Sequence, residues 1–306
     1  MVPIARTVVP PAAAKLIPRC TEEEMYSLLT EDLAEAARLL PDTRNAEKAR
    51  VTGIAAYTLL AKVYLTFGKH AEARTALDEA MKATGYGLES TTKRVFDINN
   101  KMNKEVIFAL YYNKTNDNGH GYWYSANTDV MADIRNPTPE FKAIYDESDN
   151  RLALIDTYTK IQSNLFAMTK WYDTYDATYT TQVGNDFPHL RYADITLMYA
   201  EALAETDLPT ALTWLNKTRI RAGLDELTSD DVKTKAEFIR ELAAERGREF
   251  ALEGHRWFDL VRLGLAVEHF RNLGYTLDAH NLIFPIPQNQ IEIVNNPSIL
   301  WQNPGF

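Results

Sequence analysis

From Thr21 onward the apolar positions of the chain recur at helical spacing. Thr21 followed three residues later by Glu24 is a capping box, and Met25, Leu28, Leu29, Leu33, Ala36 and Leu40 then share a face until Pro41 stops the run, which predicts a helix over 21–40. The window 47–84 carries a stronger pattern. Tyr57, Leu60, Ala61, Tyr64, Gly68, Ala73, Leu77 and Ala80 fall on the large and small offsets of a tetratricopeptide unit, a helix pair of about 34 residues. Gly68 ends its first helix and Ala73 lets the second come close. A more degenerate unit runs from Leu190 to Gly223, with Ile195, Met198, Tyr199, Ala202, Ala211, Leu215 and Gly223 on the same offsets and Thr206 and Leu208 in the turn. Ala73 and Ala211 are 138 residues apart, so the units are not consecutive modules of a regular solenoid and a large insertion separates them.

A further helix is predicted from Ser229-Asp230-Asp231 through Phe238, Leu242, Ala243 and Phe250 to a break at Gly254. Glu241, Glu245, Glu249 and Glu253 step along it at i, i+4 with Arg240, Arg246 and Arg248 alongside, the pattern of a helix braced by ion pairs. A metal site is not indicated, because His255 lies past the glycine with no second histidine near it. Arg256 to Gly264 reads as a short amphipathic helix with Gly264 as its stop. Asn281 to Pro287 cannot be helical, since Pro285 and Pro287 force extended backbone before them, and Asn296-Pro297 and Asn303-Pro304-Gly305 are turn signals. Residues 1–20 read as extended chain. A small apolar run precedes Cys20 as in a lipoprotein signal, but Pro3, Pro10, Pro11 and Pro18 interrupt it, a basic start is missing and Arg19 stands where a small residue belongs.

Residues 86–189 lack a helical period and are rich in Asn, Asp, Thr and Gly, which favour loops. They hold 17 of the 33 aromatic residues in about a third of the chain. One cluster is Tyr111-Tyr112 with Gly119-His120-Gly121-Tyr122-Trp123-Tyr124; the other is Trp171-Tyr172-Asp173-Thr174-Tyr175-Asp176 with Tyr179. A sugar ring has an apolar C–H face and a hydroxyl rim, so a flat aromatic beneath it with Asn or Asp at its edge is the complementary surface. Tyr122, Trp123, Tyr124, Trp171, Tyr172 and Tyr175 are the substrate-binding candidates, with Asn113, Asn116, Asp117, Asn118, Asn127, Asp129, Asp173 and Asp176 as rim partners. His120 is the one histidine retained as a possible contact. Core filling between loops and helices accounts for part of the same aromatics.

Composition narrows the function. Among 306 residues, 45% are hydrophobic and 25% charged, as in ordinary globular chains. The net charge of −9 opposes a nucleic-acid partner. A single cysteine, Cys20, excludes an internal disulfide and a thiolate metal cage. No apolar run reaches the ~18 residues of a transmembrane helix. Phosphate-loop, nucleophile-elbow and zinc-protease motifs are missing, and nothing in the sequence singles out a carboxylate pair for glycoside hydrolysis. No catalytic residues are nominated and the chain is expected not to be an enzyme. No cofactor is indicated, although an Asp/Asn loop leaves Ca²⁺ open.

Three blocks in order resemble the SusD/RagB-like family of outer-membrane nutrient-binding lipoproteins: Pro188 to Ala202 (PHLRYADITLMYAEA), Glu245 to Arg262 (ERGREFALEGHRWFDLVR), and Phe284-Pro285-Ile286-Pro287 with Gln302-Asn303-Pro304-Gly305-Phe306. The helix pair at 47–84 is similar to one of that family's tetratricopeptide units. The resemblance implies an all-α scaffold of tetratricopeptide-like pairs whose variable face binds oligosaccharide or polysaccharide, at the outward-facing surface of the outer membrane, for delivery to a SusC-like TonB-dependent transporter. It implies binding without cleavage. Family members usually start with a lipoprotein signal and a further N-terminal region, and this opening resembles the middle of a member, so membrane attachment would come only through a lipid anchor not present here. A single domain over 1–306 is expected, made of an extended segment at 1–20, helical repeats at 21–85, a ligand-binding insertion at 86–189 and a helical scaffold at 190–306. A peptide-interaction scaffold is the alternative, and a glycoside hydrolase the third reading.

Overall fold

The computed structural model describes residues 2–41, 50–113, 125–127, 138–156, 158–162, 165–171 and 184–306, with the backbone alone at 125–127, 156, 158–162 and 165–169. The chain divides into two compact units, residues 33–256 and residues 1–32 with 257–306. The described residues are mostly helical, with two small antiparallel sheets. Helices of seven residues or more are numbered here: α1 Glu22–Leu39, α2 Gly53–Thr66, α3 His70–Ala80, α4 Tyr192–Leu203, α5 Leu208–Arg221, α6 Lys235–Glu249, α7 Arg256–Arg262, α8 Ala266–Asn272 and α9 Gln288–Val294.

In the larger unit, α2 and α3 form the first expected pair. Gly68 (φ +68°) reverses the chain between them, with Gly68 N–H donating to Leu65 O at 3.1 Å and Lys69 N–H to Tyr64 O at 2.8 Å. Ala73, Leu77 and Ala80 are buried in the main core with Ile195, Leu197, Met198 and Leu215 of the second pair, α4 and α5. The two pairs, far apart in sequence, are therefore neighbours in space. The Tyr199 hydroxyl seals the seam by donating to Asp78 at 2.7 Å. The intervening chain leaves and rejoins through a two-stranded ladder, β1 (Val106–Leu110) against β5 (Phe187–Arg191), and carries a second sheet in the order β2 (Ser125–Asn127), β4 (Leu165–Met168), β3 (Tyr158–Gln162).

α6 starts at Lys235 rather than near Ser229, because Thr228 and Asp231 close a turn of their own (Thr228 N–H to Asp231 at 2.8 Å) and the capping box forms at Thr234 and Glu237. Its glutamates differ from expectation more deeply. Glu245 and Glu249 lie on the stripe that begins with Phe238 and Leu242, and they are fully buried. Most of their partners come from other elements. Arg191 at the β5–α4 junction holds Glu249 (2.6 Å), Glu253 (2.7 Å) and Glu105 (2.8 Å); Arg151 holds Glu245 (2.7 Å), Asp149 (2.7 Å) and Glu249 (3.0 Å). Arg221, from the end of α5, pairs with Glu105 at 2.6 Å and also with Glu249, and Lys170 holds Glu253 at 2.7 Å. A second buried cluster joins α2, α4 and α6, with Asp194 held by Lys62 at 2.6 Å and Arg246 at 2.9 Å. Gly247 is small for a reason: a Cβ there would stand 2.8 Å from the Arg256 guanidinium, which crosses the glycine to donate to Ala243 O at 2.6 Å.

The smaller unit is organised by its tail. Arg19 donates to Trp301 O (3.0 Å) and Asn303 Oδ1 (2.7 Å) with its guanidinium over the Trp301 ring. Gln302 pairs its amide with both backbone groups of Ile286, and Asn303 donates to Phe284 O, so the Phe-Pro-Ile-Pro strap is held open by side chains in place of a sheet partner. Three details depart from the sequence reading. Pro11–Ala14 forms a helical turn inside the expected extended segment, with Pro at the start where its missing N–H costs nothing. A 3₁₀ turn at Ala279–Leu282 reaches into the run read as wholly non-helical, and α9 follows Pro287 directly. As expected, α7 is helical and Gly264 (φ +71°) follows it.

Burial alone would raise the Glu249 carboxyl, but the guanidinium groups of Arg221, Arg191 and Arg151 outweigh it and hold it well below the usual carboxylate range. Removing one partner of such a cluster strands buried charge. Glu249→Gln is expected to lower stability by about 3–5 kcal/mol, read as the shift of a urea midpoint at pH 7; an unmoved midpoint would refute the role. His255, stacked on Phe250 at 4.5 Å, is pushed down from 6.5 to about 4, chiefly by burial. The unfolded chain takes up this proton below about pH 6.5 while the folded one stays neutral to about 4, so stability falls as pH drops across that window. His255→Phe should remove that share of the loss, up to roughly 3 kcal/mol, measured by comparing urea midpoints at pH 7 and 4.5 in both proteins.

Candidate functional site

The β1–β5 ladder ends at the pair Leu110↔Phe187, and beyond it the chain continues on one side through Tyr111, Tyr112 and Asn113 and on the other through Asp186, Asn185 and Gly184. Side chains take over from the ladder at that point. The Asp186 carboxylate accepts the Tyr112 N–H at 2.9 Å. Lys101 pairs with the same Asp186 oxygen at 2.8 Å and donates to Gly184 O at 2.7 Å and to Tyr112 O. Its ammonium lies 4.1 Å from the centre of the Tyr111 ring. Lys101 is presented by a turn that Asn103 fixes, donating to Val95 O and Asn100 O at 3.0 Å each, while Asp97 caps the 3₁₀ turn Ile98–Asn100.

Beside this clasp is a cleft of about 360 Å³ including its open mouth, bounded by Asp97, Ile98, Lys101, Trp171, Asn185 and Asp186. Trp171 forms part of its wall. Its ring is stacked on Phe187 (5.7 Å) and meets the edge of Phe96 (5.2 Å), and the side chain is 1% exposed. The preceding Lys170 anchors it, donating to Ala251 O at 2.6 Å and to Glu253.

The second sheet adds a register argument. β2 pairs antiparallel with β4 through Ser125↔Ala167 and Asn127↔Leu165. The start of β2 therefore lies at the end of β4. The chain thus enters β2 and leaves β4 at the same end of that sheet, and in sequence Tyr122, Trp123 and Tyr124 come just before β2 while Trp171, Tyr172 and Tyr175 come after β4.

Of the six nominated residues, only Trp171 is among the described ones, and it is a core residue instead of an open stacking face, because Phe96 and Phe187 cover it. Tyr122, Trp123, Tyr124, Tyr172 and Tyr175 lie outside the described residues, as do His120 and most of the Asn and Asp residues weighed as rim or Ca²⁺ partners. Tyr111, in the first cluster but not nominated, is 47% exposed beside the clasp. Lys101 and Asp186 were missed; a lone lysine in a turn and an aspartate before Phe187 carry no motif, and only the tertiary pairing unites them. Among the described residues, no group of three or more His, Cys, Asp or Glu is placed to hold a metal ion. The clasp brings together a paired ammonium and carboxylate beside aromatic rings, a set suited to orienting and stacking.

The SusD family model matches residues 145–306, more than half of the chain. The chain belongs to the SusD family. The matched stretch contains α4 to α9 and the glutamates of the buried network except Glu105. The SusD-like protein P2 of Formosa agariphila is 27% identical over 95% of this chain, which spans 66% of that protein's length. The same fold is seen in a laminarin-binding SusD-like protein (TM-score 0.76, 24% identity, 100% of this chain and 74% of that one). It is seen again in surface glycan-binding protein A from Bacteroides thetaiotaomicron in complex with laminarihexaose (TM-score 0.73, 20% identity, 94% and 72%). Within this family fold Trp171 acts as a wall between the clasp and the ion network. Trp171→Ala is expected to cost about 3–5 kcal/mol of stability, as for other buried tryptophans, seen as a lowered thermal midpoint; an unchanged midpoint would show that the site tolerates the cavity.

Proposed function

We propose that the chain binds oligosaccharide or polysaccharide at a cell surface and does not cleave it. One observation supports the proposal: the chain enters β2 and leaves β4 at one end of the β2–β4–β3 sheet, and the sequence on both sides of those points is rich in aromatic residues. A flexible polymer with repeating apolar faces is best held by several aromatic platforms in one place. Base stacking, the nearest measured analogue, contributes about 1–3 kcal/mol per platform. Tyr122, Trp123, Tyr124, Tyr172 and Tyr175 are the proposed platforms; Trp171, covered by Phe96 and Phe187, is not among them.

Membership of the SusD family supports the glycan reading, as do two neighbours of the same fold that bind laminarin or laminarihexaose. Delivery to a SusC-like TonB-dependent transporter and residence at the outer membrane through a lipid anchor are the corresponding proposals for the whole protein. Among the described residues no helix is long and apolar enough to cross a membrane.

The test is native electrophoresis through gels containing polysaccharides, beginning with laminarin. Retardation by at least one is expected, and Trp123→Ala should weaken it by about one platform, roughly 5- to 150-fold in affinity, with the thermal midpoint unchanged. Slow release of sugar from any polysaccharide would point to hydrolysis, and silence toward all of them with capture of a peptide would favour an interaction scaffold.

A further inference from the structure

We infer that Tyr111 is a sugar-contacting residue, its ring a stacking subsite for one uncharged pyranose unit beside the Lys101 clasp. The subsite rests on the glycan-binding proposal, and every residue in it is among the described ones. Where side chains are described within 86–189, Tyr111 is the one Phe, Trp or Tyr that is exposed, at 47%. Trp171, Tyr145, Phe96, Phe141 and Phe187 pack instead into a buried cluster.

A single exposed ring is an ordinary surface feature, and Tyr111 differs in how it is held. The Lys101 ammonium lies 4.1 Å from the ring centre. An ammonium has three N–H donors, and here the Asp186 carboxylate (2.8 Å), Gly184 O (2.7 Å) and Tyr112 O take them, so the cation behind the ring is fixed. The backbone is fixed on both sides as well. Leu110 is the last residue of β1 in the ladder, paired with Phe187, and the Tyr112 N–H donates to Asp186 at 2.9 Å. Among the described residues no aromatic ring stacks on Tyr111. An exposed ring on so rigid a stem is already ordered, and its ligand meets little further ordering cost.

The same geometry selects the class of ligand. A ring with a cation on one face is a poor seat for a second cation on the other, whereas the C–H face of a pyranose asks only for flat apolar contact. An anionic sugar gains nothing from Lys101, whose donors are occupied. Asp97, which is exposed, lines the cleft together with Lys101 and offers a carboxylate to sugar hydroxyls.

The test measures, for the full chain and for Tyr111→Ala and Tyr111→Phe, the affinity for laminarihexaose or for whichever polysaccharide retards the wild type, together with the thermal midpoint. Tyr111→Ala is expected to weaken binding by one platform, about 5- to 150-fold, with the midpoint unmoved, and Tyr111→Phe, which keeps the ring, to stay close to wild type. Carboxymethylated laminarin should bind the wild type more weakly than laminarin, and tighter binding of the charged polymer would overturn the uncharged class. Wild-type affinity in Tyr111→Ala, or a loss accompanied by a lowered midpoint that Tyr111→Phe shares, would overturn the subsite while leaving the glycan proposal standing. Wild-type protein silent toward every polysaccharide would overturn the glycan proposal and the subsite with it.

Discussion

A carboxylate with no exposure to water must be paired or neutral, and Glu249 is paired with three arginines. That requirement organises the larger unit. Arg151 precedes the short helix Leu152–Asp156, Arg191 joins β5 to α4, Arg221 ends α5, and Glu105 leads into β1, so four separate elements each bring one charge to the centre. Arg248 on Glu245 and Lys170 on Glu253 complete a set of five cations and five carboxylates. Such a cluster adds little to stability compared with an apolar core of the same volume, yet it tolerates few alternatives, because any misplaced element strands a charge. Register is what it supplies.

This explains how a chain with a large interruption still stacks two helix pairs. Burial of Ala73, Leu77 and Ala80 against the second pair supplies non-directional free energy. Apolar burial alone would tolerate sliding of α4 along α3. The Asp194 cluster with Lys62 and Arg246, together with the Tyr199–Asp78 hydrogen bond, removes that freedom. The insertion is then tied to the same frame through Glu105 and Arg191, one at each side of its two-stranded ladder.

Local rules were legible in the sequence wherever one residue type has one use. The Thr21–Glu24 box, the Gly68 and Gly264 stops and the alanines of α3 all do what their chemistry dictates. Charge spacing alone does not say which way the acidic face of α6 points; Phe238, Leu242, Glu245 and Glu249 fall at i, i+4, i+7 and i+11, and that register marks the glutamates as inward. Pro11 and Pro287 stand beside helical turns although proline argues against helix interiors, since the first turn needs none of the N–H groups that proline lacks. The small sheets went unseen because strands of three to five residues in polar surroundings leave little alternation to read.

The site divides in the same way. Aromatic enrichment pointed to the insertion, because composition survives without a fold, but enrichment cannot separate a platform from a wall: Trp171 and Tyr172 are adjacent in sequence, and the ring of Trp171 is enclosed by Phe96 and Phe187. Lys101 is invisible to composition altogether. Its significance comes from two backbone carbonyls that lie far apart in sequence and meet only when β1 pairs with β5. An ion network that fixes the scaffold, a ladder that carries its register outward and a lysine that holds the last few residues together form one chain of constraint. Each link hands a smaller and more exposed segment to the next, and beyond the last of them sequence can vary at least cost to the fold, which is where a binding surface that must suit different ligands is best placed.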